Sequence, residues 1–431
     1  MNIAIVGAGF TGLSAAYYST KKGHNVEIFE LDSKPGGLAV GYKENKWNWT
    51  LEYHYHHWFT NDKSVLDLAS EINHKVIIKR PITSSYVEGG IYQLDSPTSV
   101  LKFPKLNIIN RFRMGVSLAL LRYNPFWKPL EKYKAEPYLK KTMGDIAYKM
   151  LWQPLLDNKL GKYAKSVSLA WFWARVYKRT PSLAYPEGGF LSFAQHLQET
   201  IEKQGGVFHY KTEVTKLAGG KTTTLQIKNG GWKNSDKTHD LEFDSIIVTT
   251  PSFLFKKIAP SLPESYKESL GKLKGIAAMN LVLRLKNPFF SDGTYWLSMC
   301  DLKSPILAIV EHTNFMNKKY YNDEHLVYVG NYMETSDPRF TLNEKELLKL
   351  YDPWLKKINP NYYKDIISFK IFRAPFAQPI IPPNYSKYIP PFETPLKHVY
   401  LANIEQVYPW DRGTNYAVEL GQKIAHIVSS S

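Results

Sequence analysis

The first thirty residues place the strongest constraint on how this chain folds. The apolar run Ile3–Val6 leads directly into Gly7-Ala8-Gly9-Phe10-Thr11-Gly12, and Leu13–Lys22 then has the composition of a helix. A second apolar run, Val26–Phe29, ends at the acidic Glu30. A strand, a G-x-G-x-x-G turn, a helix, a second strand and an acid in this order form the pattern of a dinucleotide-binding βαβ unit.

Each position of this pattern has a physical role. Gly7 permits the tight turn, Gly9 allows the backbone to approach a pyrophosphate, and Gly12 allows the helix to pack closely on the strand. The helix N-terminus then faces the phosphates, and the Glu30 carboxylate accepts a hydrogen bond from an adenosine ribose hydroxyl. A lone glycine pattern is often only a turn, but the complete unit predicts nucleotide binding.

The segment after Glu30 indicates which dinucleotide binds. It reads Leu31-Asp32-Ser33-Lys34-Pro35-Gly36-Gly37-Leu38. Proline and glycine are common in ordinary turns, but a Pro-Gly-Gly turn just after the acid resembles the extended signature of FAD-binding oxidoreductases, in which the glycine pair passes close to the cofactor. The resemblance implies non-covalent FAD, with Leu31, Gly36, Gly37 and Leu38 among its contacts.

The bulk composition limits the class of protein. The 431 residues, 44% of them hydrophobic, are enough to bury a large core in several domains. No run of eighteen apolar residues occurs, so no transmembrane helix is expected, and Met1 is too close to the first strand to leave room for a signal or transit peptide. The single cysteine, Cys300, excludes an internal disulfide; an unreactive thiol is favoured over a redox nucleophile or a flavin attachment point. We expect a cytoplasmic protein.

The positive charge is concentrated in one stretch. The net charge is +16. Residues 102–141 contain ten Lys or Arg and two acidic residues, a charge of +8. Residues 142–180 contain seven Lys or Arg and two acidic residues, a charge of +5. Ile108, Phe112, Val116 and Leu120 recur at helical spacing. The same stretch holds Trp127, Trp152, Trp171 and Trp173.

Three interpretations of this basic, aromatic stretch stay open. Basic residues interleaved with Trp and Phe suit a surface that contacts anionic lipid, at the inner face of the membrane. A solvated helical insertion with core aromatics, and a site for an anionic soluble substrate, are the alternatives. No nucleic-acid partner is expected, because no nucleic-acid-binding module is visible.

The order of motifs along the chain is similar to that of the FAD-dependent amine oxidase superfamily, which includes protoporphyrinogen oxidases and phytoene desaturases, with UDP-galactopyranose mutase as a more distant relative. The N-terminal motif, the block Tyr185-Pro186-Glu187-Gly188-Gly189-Phe190 and a C-terminal motif carry the resemblance. It implies an α/β fold in which a Rossmann-like FAD-binding domain receives an inserted antiparallel-sheet substrate domain and a helical lid.

Three sets of residues are assigned to these parts. The discontinuous FAD-binding domain comprises residues 1–80, 185–255 and 395–431, and the antiparallel-sheet substrate domain comprises residues 81–100 and 256–394. Residues 101–184 form the basic helical insertion, which we interpret as a lid or a membrane-facing part.

The resemblance also implies roles for later residues in cofactor binding. Val214 lies in the strand whose backbone flanks the adenine, and Thr250 lies in the Thr249-Thr250-Pro251 loop. Asn403 replaces the acid that the family commonly has after its closing strand, and still offers hydrogen bonds to the ribityl or pyrophosphate region. Arg412 would reach the flavin or its phosphates. Gly413-Thr414-Asn415-Tyr416 opens the last helix beside the flavin pyrimidine carbonyl, where a helix N-terminus stabilises negative charge; a simple helix cap at Thr414 is the alternative.

The segment Glu52-Tyr53-His54-Tyr55-His56-His57-Trp58-Phe59 departs from the family, which has a glycine-rich turn against the isoalloxazine ring at this place. In a strand, His54 and His56 would share one face and His57 would point away. Metal binding, aromatic packing and substrate contact beside the flavin stay open, but no cluster with zinc spacing accompanies these residues, and we predict no metal. His56 and His57 are candidate catalytic residues.

Further catalytic candidates lie on strands of the predicted substrate domain. Glu311 and His312 could relay a proton or form a satisfied hydrogen-bonded pair at a strand end. Tyr332 would face the flavin from the same sheet. Arg373 could hold an anionic group or form a salt bridge at the edge of the core.

We therefore predict FAD-dependent oxidation or desaturation of a small or lipid-linked substrate, with hydride transfer from a substrate carbon to the flavin. A redox-neutral mutase of the galactopyranose type is one alternative, and it would need paired arginines such as Arg175 and Arg179 on one helix face. The other is a non-enzymatic membrane-surface protein that retains FAD as a structural element.

Overall fold

The computed structural model describes residues 1–229 and 238–430. The strands of this part are β1 (Asn2–Val6), β2 (Asn25–Phe29), β3 (Gly41–Tyr42), β4 (Leu51–Glu52), β5 (Trp58–Phe59), β6 (Val76–Lys79), β7 (Ile82–Val87), β8 (Gly90–Gln93), β9 (Leu183–Pro186), β10 (Val207–His209), β11 (Thr212–Ala218), β12 (Thr223–Asn229), β13 (Thr238–Phe243), β14 (Ser245–Val248), β15 (Gly275–Leu285), β16 (Thr294–Met299), β17 (Ala308–Glu311), β18 (His325–Met333), β19 (Ile366–Pro379) and β20 (Val399–Leu401).

The helices are α1 (Phe10–Thr20), α2 (Lys63–Glu71), α3 (Pro97–Lys102), α4 (Ile108–Tyr123), α5 (Ala135–Met143), α6 (Asp145–Ala147), α7 (Gln153–Leu160), α8 (Leu169–Tyr177), α9 (Phe190–Lys203), α10 (Ser252–Ile258), α11 (Glu264–Gly271), α12 (Glu344–Ile358) and α13 (Thr414–Ser430). One π-helical turn, Tyr148–Trp152, joins α6 to α7. None of the described helices is both long and apolar enough to span a bilayer.

A five-stranded parallel sheet in the order β10-β2-β1-β14-β20 forms the first layer. Both of its faces are covered, so Ile3, Ala4 and Ile5 are fully buried in succession, as expected for a parallel strand. The first and last helices, α1 and α13, pack against each other closely because Gly421 has no side chain. A Cβ at Gly421 would lie 2.4 Å from the Thr11 carbonyl oxygen. The end of the chain therefore packs directly on the glycine-turn helix.

A seven-stranded sheet in the order β19-β15-β18-β17-β16-β7-β8 faces the parallel sheet. All neighbouring strands run antiparallel except β16 and β7, which are parallel. Helix α12 covers this sheet with the buried side chains Leu347, Tyr351 and Leu355. Three smaller sheets, β3-β4, β5-β9-β6 and β11-β12-β13, complete the fold. The mixed α/β architecture confirms the predicted fold class.

Helices α3 to α8 form the insertion between β8 and β9. Trp171 and Trp173 of α8 lie in its core, together with Leu139 and Met143 of α5. These tryptophans are therefore packing residues. Helix α8 ends at Tyr177, so Arg179 lies beyond it, and the predicted common helix face with Arg175 does not form.

The apolar stripe of α4 faces outward. Ile108, Phe112 and Leu120 are 67%, 65% and 63% exposed, whereas Met114 and Leu121 on the opposite side are buried. The four-residue spacing in the sequence therefore marks an unpartnered apolar face. If this face packed against the protein core, Ile108, Phe112 and Leu120 would be buried.

Candidate functional site

The glycine turn after β1 has the predicted geometry. Gly7 adopts φ +102°, and its N–H donates to the Phe29 carbonyl at 2.8 Å. A Cβ at Gly12 would lie 1.9 Å from the Gly7 carbonyl oxygen. Helix α1 therefore packs on the turn at a distance that only glycine permits.

The Pro-Gly-Gly turn packs directly against this first turn. The Gly36 N–H donates to the Ala8 carbonyl at 2.9 Å, and a Cβ at Gly37 would approach the Gly9 Cα to 3.0 Å. Two backbone turns without side chains therefore lie together at the carboxyl edge of the parallel sheet. Such a cradle suits a ligand that the backbone must approach closely.

Glu30 lies at this cradle. Its carboxylate accepts hydrogen bonds from the Ala8 N–H at 2.7 Å and from the Asp32 N–H at 2.8 Å. Its backbone carbonyl accepts from the Thr212 N–H at the start of β11. Val214 lies two residues further along this strand, and the Leu31 side chain is exposed.

A cavity of about 430 Å³ lies between the carboxyl edge of the parallel sheet and the seven-stranded sheet. The predicted cofactor residues that line it are Gly7, Gly9, Phe10, Thr11, Glu30, Gly36, Gly37, Leu38, Thr250, Arg412, Gly413 and Thr414. The facing sheet contributes Ala278, Asn280, Asn331, Tyr332, Phe376 and Ala377. One cavity thus connects the glycine cradle with the second sheet.

The remaining predicted cofactor residues do not line the cavity: Ala8, Gly12, Leu31, Val214, Asn403, Asn415 and Tyr416. Several of them support residues that do. The Asn403 amide donates to the Thr250 carbonyl at 3.2 Å and to the Ser252 hydroxyl at 3.1 Å, so the structure places Asn403 behind the Thr250 loop. The Asn415 side chain accepts from the Val65 N–H, and the Tyr416 ring stacks on Trp410.

Two polar atoms of the cavity wall lack partners among the described residues. They are the Thr250 hydroxyl and the side-chain carbonyl oxygen of Asn280, both buried. Buried polar groups are usually hydrogen-bonded. These two atoms, one near each sheet, fit a ligand with polar groups that extends across the cavity, as FAD would.

His54, His56 and His57 lie in the irregular segment between β4 and β5, so the strand arrangement considered for them does not occur. His54, His56 and His57 all line the cavity, so His57 does not point away. His54 Nδ1 lies 2.6 Å from the Asn280 amide nitrogen, His56 Nδ1–H donates to the His54 carbonyl at 2.6 Å, and His57 Nδ1 lies 3.2 Å from the Tyr295 hydroxyl. The three rings have different partners because an irregular backbone, unlike a strand, does not alternate them.

These imidazoles are neutral at neutral pH. Burial, the largest cause, lowers the pKa of His54 and His57 to about 3 and that of His56 to about 4, and neighbouring cations act in the same direction. Neutral histidines offer one N–H donor and one acceptor nitrogen each. They are therefore suited to orienting a ligand by hydrogen bonds.

Tyr332 and Arg412 meet at the wall formed by the seven-stranded sheet. The Arg412 guanidinium donates to the Tyr332 hydroxyl and to the Ala377 carbonyl. Burial opposes the Arg412 charge, but Tyr332 and Asp411 hold its pKa above the ordinary value. The structure thus brings Tyr332 together with His56 and His57 around one cavity, and it adds Tyr55 and Asn280, which the sequence patterns did not single out.

Three predicted catalytic residues lie elsewhere. Glu311 is fully buried and accepts hydrogen bonds from the Phe289 and Phe290 N–H groups at 3.1 and 2.8 Å. His312 Nε2 lies 2.8 Å from the Tyr321 hydroxyl, and burial lowers its pKa to about 3. Glu311 and His312 thus bond to different partners and not to each other, so the geometry fits neither the proton relay nor the hydrogen-bonded pair that the sequence left open.

Arg373 is exposed on the edge strand β19. Its guanidinium donates to the Phe340 and Leu342 carbonyls. It does not line the cavity, so the predicted contact with an anionic substrate group has no geometric basis there.

The glycine turns, Glu30 and the cavity between the two sheets indicate a protein that binds a dinucleotide. Residues 10–421 match the family of flavin containing amine oxidoreductases. The chain belongs to this family, as predicted, and its cofactor is FAD.

Individual relatives are distant. The chain is 21% identical to the coproporphyrinogen III oxidase of Staphylococcus aureus over 299 residues, which cover 59% of this chain and 61% of the relative. It therefore matches about three fifths of that relative's length. It is 18% identical to the 15-cis-phytoene desaturase of Synechococcus elongatus over 435 residues, which cover 93% of this chain and 90% of the relative.

Among solved structures, reduced UDP-galactopyranose mutase superposes with a TM-score of 0.79 at 15% identity, covering 100% of this chain and 96% of that chain. At this identity, the likeness shows a shared fold. The fold by itself therefore does not identify the substrate.

Proposed function

We propose that this protein oxidises or desaturates an organic substrate held between the flavin and the seven-stranded sheet. The observation that carries the proposal is the single cavity whose one wall is the glycine cradle and whose other wall is Ala278, Asn280, Tyr332 and Phe376. The residues that would hold FAD are the two glycine turns, Glu30, the Thr250 loop and the start of α13. When bound, FAD supplies the two-electron acceptor that the protein itself lacks.

The chain's own residues bind the substrate and orient it toward the flavin. Phe376, Ala377 and Ala278 offer apolar surface that excludes water from the substrate space. The neutral His56 and His57 offer hydrogen bonds without adding charge. The N-terminus of α13 lies at the cavity with Gly413 and Thr414, and its helix dipole stabilises negative charge there. Cys300 is buried and does not line the cavity, which supports non-covalent cofactor binding.

The test is anaerobic reduction of the purified protein. The protein should be yellow, dithionite should bleach it, and an oxidisable substrate should bleach it without dithionite. A colourless protein that takes up no added FAD would overturn the proposal. Turnover that requires reduced flavin and leaves it reduced would instead indicate a redox-neutral isomerase.

We also propose that the α4 face rests on an anionic membrane surface. Tyr123 and Phe126, which follow the α4 stripe, are 82% and 72% exposed, so the apolar surface extends past the end of the helix. It lies within the stretch from residue 102 to residue 141, which carries +8. Exposed apolar side chains in a strongly basic stretch of the chain match the chemistry of anionic headgroups over acyl chains. Such a position would bring hydrophobic or lipid-linked substrates to the cavity.

Vesicle flotation tests this contact. The protein should float with vesicles of phosphatidylcholine and phosphatidylglycerol, and weakly with phosphatidylcholine alone. The variant Phe112→Glu/Leu120→Glu should reduce flotation at least tenfold, because two carboxylates would have to enter the lipid interface. Leu302→Glu, at a comparably exposed leucine outside the insertion, is the control and should float normally. Unchanged flotation of the double variant, or a dimer that the double variant dissociates, would contradict the proposal.

A further inference from the structure

Three cationic side chains from three separate elements converge beside the cavity. Lys159 of α7 places its ammonium 4.6 Å from the centre of the Tyr332 ring, and the Arg412 guanidinium lies 5.2 Å from the same ring. Arg175 of α8 is ion-paired with Asp411, the neighbour of Arg412. We call Lys159, Arg175 and Arg412 the cationic cluster.

The positive charges of the cationic cluster are only partly balanced by the carboxylate beside them. Asp411 is the carboxylate that contacts it; burial opposes its charge, but Arg175, Lys159 and Arg412 together lower its pKa to about 2. Among the described residues, these three basic side chains therefore share one carboxylate. The second Asp411 oxygen, Oδ1, is buried without a partner in the described structure, so Asp411 itself is not fully engaged.

Lys159 is the least satisfied member of the cluster. The residue is only 8% exposed, and within residues 1–229 and 238–430 its ammonium forms no hydrogen bond or ion pair. Burial, together with Arg175 and Arg412, lowers its pKa well below the ordinary value. An ammonium without a partner, on a residue only 8% exposed and beside two guanidinium groups, is unfavourable, and a bound anion would remove that cost.

A neutral donor lies in the same place. The Arg175 guanidinium lies 4.9 Å from the centre of the Trp171 ring, and the buried Trp171 indole N–H has no partner among the described residues. Unpaired donors and excess positive charge thus occur together. Tyr332 and Arg412 also line the flavin cavity, so the cluster adjoins the substrate space.

We propose that Lys159, Arg175 and Arg412 form an oxyanion subsite beside Tyr332, and that the substrate carries a carboxylate or phosphate group that binds there. Naming the ligand as the substrate rests on the proposed function; the anion site itself does not. Guanidinium and ammonium groups recognise both kinds of oxyanion. The subsite also disfavours a cationic amine, because like charges would meet in a buried space.

The test compares Lys159→Met with Lys162→Met in FAD-loaded protein. Lys162 is exposed and paired with Glu334, so its variant controls for the loss of one surface charge. The probes are sodium pyrophosphate and sodium succinate, each against sodium chloride of equal ionic strength. The readouts are the thermal midpoint and the flavin difference spectrum.

The wild type and Lys162→Met should be stabilised by at least one probe. Lys159→Met should have a higher midpoint without probe, because the unpaired charge is gone, and should need at least tenfold more probe for the same response. The more effective probe identifies the group as phosphate or carboxylate. Lys159→Gln, a polar neutral variant, should behave like Lys159→Met.

Two results would overturn the subsite. One is a lowered midpoint in both Lys159 variants with unchanged probe affinity, which would make Lys159 a structural residue. The other is a wild type that responds to neither probe. FAD content and dithionite bleaching are measured in the same samples, so loss of the subsite with normal bleaching refutes this inference alone, whereas absence of FAD refutes the proposed function.

Discussion

Gly12→Ala is expected to abolish FAD binding and to lower the free energy of unfolding by about 3 kcal/mol. The added Cβ would lie 1.9 Å from the Gly7 carbonyl oxygen and 3.3 Å from the Thr249 hydroxyl. Backbone atoms occupy this place, so no side-chain rotation relieves the clash, and α1 must move away from β1. The glycine cradle then loses its shape. FAD content after purification and urea unfolding measure the two effects.

Gly115→Ala is the matched control. Gly115 lies in the middle of α4, and no atom lies within 4 Å of a Cβ built there. Alanine is the better helix former, so this variant should keep its FAD and be equally or slightly more stable. Retention of FAD and normal stability in Gly12→Ala would show that the turn tolerates separation from the helix.

Glu52→Ala should lower the free energy of unfolding by about 4 kcal/mol at pH 5, because it leaves two buried donors, the Tyr185 hydroxyl and the Phe190 N–H, without acceptors. The carboxyl group is fully buried, accepts from the Phe190 N–H at 2.8 Å, and lies 2.9 Å from the Tyr185 hydroxyl through both oxygens. Its own backbone carbonyl accepts from the Tyr328 hydroxyl at 2.7 Å. Glu52 therefore anchors the start of the histidine loop, and FAD affinity should fall together with stability.

Glu52→Gln separates the hydrogen bonds from the charge. Burial, the largest cause, raises the pKa of Glu52 from 4.5 to about 7, although its hydrogen bonds oppose this. The folded protein thus holds this proton at pH values where the unfolded chain has lost it. Stability must therefore fall as the pH rises from 4.5 to 7, by about 3 kcal/mol for this group.

The difference between wild type and Glu52→Gln isolates that contribution, since buried histidines titrate in both proteins alike. Unfolding in urea at pH 5 and pH 8 should show similar stabilities at the lower pH and a more stable Glu52→Gln at the higher pH. If the wild type instead became more stable relative to Glu52→Gln as the pH rises, the fold would stabilise Glu52 as a carboxylate.

Local patterns were sufficient for the cofactor. The glycine turn, its helix and Glu30 are close in sequence, and their conformations depend on φ angles and packing distances that only glycine allows. The family, the α/β fold and FAD therefore followed from the motifs. The four-residue spacing in α4 likewise predicted a helix, but spacing alone did not tell which way its apolar face points.

The sequence by itself thus determined a flavoprotein of known family and the backbone cradle for its cofactor, because those features are local. Only the tertiary structure decided the rest of the site. Lys159 and Arg175 belong to α7 and α8, whereas Arg412 lies near the end of the chain; Lys159 and Arg412 meet at the ring of Tyr332 in β18, and Arg175 joins them through Asp411. Glu311 looked catalytic beside His312, yet folding directs it to the Phe289 and Phe290 N–H groups. Burial and charge pairing are properties of contacts between distant segments, and no pattern along the chain specifies them.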